Sequence, residues 1–129
     1  MEGQDTDGEC IWNSPIINIA NYHNISLSHL ASKQGYISPN STNYYIKTEY
    51  SLDGGTWNQF SGNGLLDFNY ANNTNVFQNG LEGNYLQIRV TVKTTSSNRR
   101  IRFDNVKVTG QTYRTILCYG SSLNLGGSS

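Results

Sequence analysis

Charge is scarce in this chain: Asp, Glu, Lys and Arg make up only 14% of its 129 residues, and nine basic groups balance nine acidic ones. A neutral total argues against nucleic acid or a membrane surface as partner, since both favour a basic excess. No apolar run approaches the ~20 residues that cross a bilayer as a helix. Helical periodicity is missing too, because apolar residues do not recur at i, i+3, i+4 and i+7. The motifs of catalysis are equally absent: no Gly-x-Ser-x-Gly elbow, phosphate-cradling glycine loop or His-Glu-x-x-His pattern occurs. His23 and His29 are the only histidines, neither is placed with a cysteine, and both read as surface residues of strands or loops. A glycosidase needs two carboxylates in a cleft, and no pattern singles out Glu49 with Asp67 or Glu82. The chain does not read as an enzyme.

Cysteine is limited to Cys10 and Cys118, near opposite ends. Their separation fits neither a zinc site nor a thioredoxin-type motif. Two readings stand. A disulfide would join neighbouring termini, contribute up to about 4–5 kcal/mol in the chain-entropy model, and imply an oxidising compartment. The other reading is a pair of free buried thiols. No signal peptide precedes the acidic start, so Met1 reads as the replacement of a removed signal, and the expected location is extracellular. The stretch 120–129, closing on Gly126-Gly127-Ser128-Ser129, reads as a linker or expression remnant. That leaves an acidic segment at 1–9 and a single folded domain at 10–119.

What the chain does have is aromatic area and a period of two. Nine tyrosines raise the aromatic share to 12%, which supplies core and surface rings. Tyr44, Ile46, Thr48, Tyr50 and Leu52 alternate with Tyr45, Lys47, Glu49 and Ser51. Leu86, Ile88, Val90 and Val92 alternate with Gln87, Arg89, Thr91 and Lys93. Both runs predict half-buried strands. In a third run the inward set is Ile101 and Phe103, then Val106 and Val108, so its parity changes and predicts a bulge near Asp104-Asn105. Shorter strands are expected at 16–20, 25–30, 57–60, 76–78 and 115–118. Asp53-Gly54-Gly55 marks a tight hairpin, and loops are expected at 38–43, 61–64 and 71–75. Many short strands with regular turns predict an all-β fold, a two-sheet antiparallel sandwich. Three glycosylation triplets begin at Asn24, Asn40 and Asn72, and an Asn-rich chain produces such matches by chance.

Charges of opposite sign are segregated. Glu2, Asp5, Asp7 and Glu9 crowd one end, while Arg89, Lys93, Arg99, Arg100, Arg102, Lys107 and Arg114 lie toward the other. They form either a basic ligand patch or pairs across neighbouring strands, and the second reading is preferred.

Three stretches carry a family resemblance: the run from Tyr45 to Trp57, that from Gly80 to Val90, and Ile101-Arg102-Phe103-Asp104-Asn105-Val106-Lys107-Val108. Over Trp12 to Gly110 the chain resembles galactose-binding-like and MAM-like accessory domains of secreted proteins. The resemblance implies jelly-roll topology and a role in binding sugars, binding proteins or spacing other domains. Ser51-Leu52-Asp53-Gly54-Gly55-Thr56-Trp57 is similar to an Asp-box hairpin, in which Asp53 would accept N–H groups of its own turn above a packed Trp57. Sugar-binding jelly rolls also imply a structural calcium, for which Asp7, Glu9 and Asp104 are the matching acids and Asp5 the least secure. Asp5, Asp7 and Glu9 fall at every second position, one face of an extended strand.

Sugar recognition needs aromatic faces for the C–H side of a pyranose and planar polar groups for its hydroxyls. Outward positions supply Tyr45, Lys47, Glu49, Gln87 and Arg89, with Arg102 beside them, and this set suits an uncharged or anionic glycan. Tyr36, Tyr70 and Tyr113 are alternatives at a loop edge, while Trp57 reads as core. The leading expectation is a non-catalytic carbohydrate-binding module within a longer secreted protein. An adhesion domain and a spacer without ligand are the rivals. On this reading, alanine at Tyr45 or Arg89 abolishes retention on polysaccharide without lowering Tm.

Overall fold

A computed structural model describes residues 2–4, 8–95 and 100–112. Within them ten strands and no helix occur: β1 (Glu2–Gln4), β2 (Gly8–Asn13), β3 (Ile17–Asn18), β4 (Tyr22–Gln34), β5 (Tyr45–Leu52), β6 (Asn58–Gln59), β7 (Leu65–Leu66), β8 (Thr74–Leu81), β9 (Tyr85–Thr94) and β10 (Arg100–Thr112). One sheet has the order β1-β10-β4-β8. The second has the order β2-β9-β5-β6, with β3 also on β9 and β7 also on β5. All pairings are antiparallel.

The alternating strands explain the two layers. Leu86, Ile88, Val90 and Val92 of β9 and Ile46 of β5 face Ile25, Leu27 and Ala31 of β4 with Ile101 and Phe103 of β10, all buried. Each such aliphatic side chain contributes about 1.5–3 kcal/mol on leaving water. Trp12 of β2 packs against Phe103 with ring centroids 5.5 Å apart, which ties the sheets together across the core.

The bulge expected on β10 is present. Its pairing with β4 shifts register between Asp104 and Lys107, and Asn105 has φ 59°. Val108 resumes the inward face, but Val106 sits in the bulge and is exposed, contrary to its expected burial. The sandwich also begins earlier than position 10, because β1 pairs with β10 and β2 starts at Gly8. These ladders set Glu2 opposite Arg102 and Glu9 opposite Lys93, so the segregated charges come to lie on neighbouring strands. The strand expected at 115–118 lies outside the described residues.

The 53–55 hairpin closes with the Gly55 N–H donating to the Leu52 carbonyl at 2.9 Å. Asp53 and Gly54 have φ 54° and 72°, the paired positive values of a primed turn. Asp53 does not cap its own turn. Its Oδ1 accepts the N–H groups of Asn84 and Tyr85 at 3.0 and 2.9 Å, binding the β5–β6 turn to the start of β9. Asp53→Ala is expected to cost about 1–2 kcal/mol, from two lost charge-assisted bonds and a positive φ that alanine resists. Asp53→Asn should recover part of this in urea denaturation.

Candidate binding face

Strands β5 and β9 run side by side, with Glu49 opposite Arg89, Ser51 opposite Gln87 and Tyr45 opposite Lys93. Because their inward residues are fixed by the core, Tyr45, Lys47, Glu49, Gln87 and Arg89 all project to the outer face of this sheet. Five of the six residues expected to bind ligand are thereby brought together. The sixth, Arg102, is not among them, because β10 belongs to the opposite sheet.

Arg89 is the centre of the face. Its Nε and Nη2 both donate to Glu49 Oε1, at 3.0 and 2.9 Å. Its guanidinium carbon lies 4.2 Å from the Trp57 ring centroid, in cation–π geometry. The carboxylate on one side and the ring on the other fix the guanidinium, while Lys47 Nζ stands 4.0 Å from Glu49 Oε2. Side-chain exposures are 12% for Glu49 and 29% for Arg89, so the pair is largely shielded from water. Alanine at Arg89 is therefore expected to lower stability, in contrast to the unchanged Tm that the sequence reading expects.

Trp57 is also corrected. It is half-buried against Arg89 on the outer face and does not belong to the core cluster. Tyr85 extends the face along β9: it shares the parity of Gln87 and Arg89 and is 51% exposed. With Ile16, Asp53, Gly54 and Asn84 it lines a shallow depression of about 650 Å³. Tyr85 and Arg89 are four residues apart, or ~13 Å along a strand. At the other end the Tyr45 hydroxyl donates to Glu9 Oε2. Partial burial, then that carboxylate, push its pKa up to about 12, so Tyr45 remains a neutral phenol. Gln87 Nε2 donates to the Ser14 carbonyl at 3.1 Å.

Other expected sites fare differently. Glu9 lies on β2 and faces outward on the β5–β9 side, while Asp104 is exposed on β10 and alternates with buried Phe103. The two acids thus point to opposite outer faces and do not meet as calcium ligands; Asp5 and Asp7 lie outside the described residues. Among the described residues, no three His, Cys, Asp or Glu side chains form a group that could hold a metal ion. Cys10 is half-buried on β2, and Cys118 lies outside the described residues, as does the pairing between them. Tyr70 is not a loop-edge ring but a buried one, its hydroxyl donating to the Ser32 carbonyl at 3.1 Å, and burial raises its pKa. Tyr36 is exposed, and Tyr113 lies outside the described residues. Glu82 accepts the Asn24 N–H at 2.8 Å and so is held away from Glu49.

His29 overturns its surface assignment. It is 1% exposed, and its Nε2 shares a 2.8 Å hydrogen bond with Thr48 Oγ1, which links β4 of one sheet to β5 of the other. Phe103 meets its ring edge-on at 5.4 Å. Desolvation lowers its pKa to about 4 against the opposing pulls of the Leu30 backbone and Asp104.

No protein-family model, curated protein or solved structure matches this chain.

Proposed function

We propose that this domain is a non-catalytic carbohydrate-binding module of a larger secreted protein, recognising a polysaccharide through the outer face of the β5–β9 sheet. The observation that carries the reading is the fixed guanidinium of Arg89, held between Glu49 and Trp57 on the same face as Gln87 and the exposed ring of Tyr85. Sugars offer apolar C–H faces edged by hydroxyls, and aromatic rings alternating with planar polar groups complement that pattern. Side chains already held in place lose little conformational entropy on binding, so each contact counts more toward affinity. The sequence resemblance to sugar-binding jelly-roll domains points the same way.

Retention on insoluble polysaccharides and a glycan array test the reading. Tyr85→Ala and Trp57→Ala are expected to weaken binding about ten-fold each, the effect of losing roughly 1.4 kcal/mol. Tyr85→Ala should shift Tm by no more than about 2 °C, as an exposed substitution does. Blank wild-type binding across neutral and acidic glycans would overturn the proposal. The rival reading, an adhesion surface for a protein partner, is favoured by Ile11 and Ile16, which are 51% and 68% exposed. It predicts instead that polar replacements at these two positions abolish partner capture.

A further inference from the structure

The opposite outer face, on the β10–β4 sheet, carries a second recess that the binding face does not use. Ser32, Lys33, Gln34, Asn72, Arg100 and Arg102 line a pocket of about 300 Å³. The β10–β4 register sets Arg100 opposite Gln34 and Arg102 opposite Ser32. Both arginines share one parity, alternating with buried Ile101 and Phe103, so they stand side by side on the outside, ~6.6 Å apart along the strand. Three cations and three neutral hydrogen-bonding groups thus surround one small space, and among the described residues no carboxylate lines it. The nearest acids in the ladder are Asp104, two residues along β10, and Glu2, opposite Arg102 on β1.

The wall of the pocket is built, not a chance meeting of long side chains. Ser32 is buried; its Oγ accepts the Asn73 N–H at 3.0 Å and donates to Asn73 Oδ1 at 3.4 Å. Asn72 Oδ1 accepts the Lys33 N–H at 2.9 Å, pinning the 71–73 loop to the end of β4. Lys33 Nζ donates to the Gly35 carbonyl at 2.8 Å and lies 5.9 Å from the Tyr70 ring centroid. Among the described residues, no such contact is recorded for the guanidiniums of Arg100 and Arg102.

We infer that this pocket is an anion-binding subsite, taking a sulfate or carboxylate group of an acidic polysaccharide, with Arg100 and Arg102 as the ligating residues. Guanidiniums bind such oxyanions through two parallel N–H···O bonds, a geometry lysine does not reproduce. Gln34, Asn72 and Ser32 supply partners for neighbouring hydroxyls. Among the described residues no aromatic ring lines the pocket for a base to stack on, which disfavours single-stranded nucleic acid. The polysaccharide source rests on the carbohydrate reading above, while the anion site itself rests on the pocket alone.

Affinity electrophoresis with dextran, dextran sulfate, galactan and polygalacturonate separates the possibilities. Sulfated or uronate polymers should retard the protein more than their neutral counterparts, and the stronger of the two names the anion. Arg100→Ala/Arg102→Ala should abolish that excess, at least ten-fold in affinity, without changing Tm beyond about 2 °C. Arg100→Lys/Arg102→Lys should restore it only in part. Lys107→Ala, which removes an exposed charge elsewhere on β10, should change it less than two-fold. Equal losses from Lys107→Ala and the arginine variants would reduce the effect to general electrostatics and overturn the site. Retention on neutral and acidic polymers alike, with no preference for the acidic ones, would overturn it as well. Loss of the acidic preference in Trp57→Ala, with the arginine variants unaffected, would move the anion to the β5–β9 face and refute this pocket. Binding of free sulfate without any polysaccharide retention would keep the anion site and refute the carbohydrate reading.

Discussion

Arg89→Ala is expected to cost about 2–3 kcal/mol and lower Tm by roughly 10 °C, while abolishing polysaccharide retention. The loss arises less from the missing arginine than from what it leaves behind. Glu49 is 12% exposed and would lose both guanidinium hydrogen bonds, with Lys47 at 4.0 Å the one remaining cation within reach among the described residues. A shielded carboxylate without its partner is more costly than the pair is stabilising. The Trp57 ring also loses the cation that covers it at 4.2 Å. Arg89→Lys keeps the charge but neither the two-bond geometry nor flat stacking, so an intermediate Tm is expected. Glu49→Gln, which leaves Arg89 a neutral acceptor, should cost less than Arg89→Ala. Scanning calorimetry decides the matter, since a Tm for Arg89→Ala within 2 °C of wild type would show an energetically idle pair.

Stability should also fall by roughly 3 kcal/mol as the pH drops from 6.5 to 4, because of His29 alone. In the folded protein its pKa is lowered to about 4, while the unfolded chain binds the proton near 6.5. Above pH 6.5 both states are neutral, and the full stability is present. Between the two values the unfolded state holds more protons, so acid favours unfolding; below about 4 both states are protonated and this loss levels off. Urea denaturation between pH 7 and 5 isolates the effect from most carboxylates. His29→Gln, which retains a hydrogen-bonding group toward Thr48, should flatten the profile even if it lowers stability throughout. Identical slopes for wild type and His29→Gln would refute this account.

His29 also shows how far alternation can be read. Ile25 and Leu27 are inward on β4, and the same parity carries His29 and Ala31 inward. The signal was present, but the usual polarity of histidine competes with it, and the Thr48 hydroxyl that satisfies the ring comes from the other sheet. Tyr85 is similar: its parity with Gln87 and Arg89 was legible, and only the edge position of β3 shows how exposed it is. Trp57 gave no such clue, because it lies outside a strand and its partner Arg89 is far off in sequence. Short β7 and the Gly-led β2 also carried too little alternation to be recognised.

Local alternation by itself determined the strand character of β5, β9 and β10, the bulge at Asn105, the hairpin at Asp53-Gly54 and the outward set on β5 and β9. Those features depend on side chains two residues apart or on φ preferences within one turn, both of which are written along the chain. Which sheet each strand joins was decided only in three dimensions, by pairing between distant segments. That pairing removed Arg102 from the first face, placed it with Arg100 in a pocket on the second, turned Glu9 and Asp104 away from each other, and buried His29 between the layers.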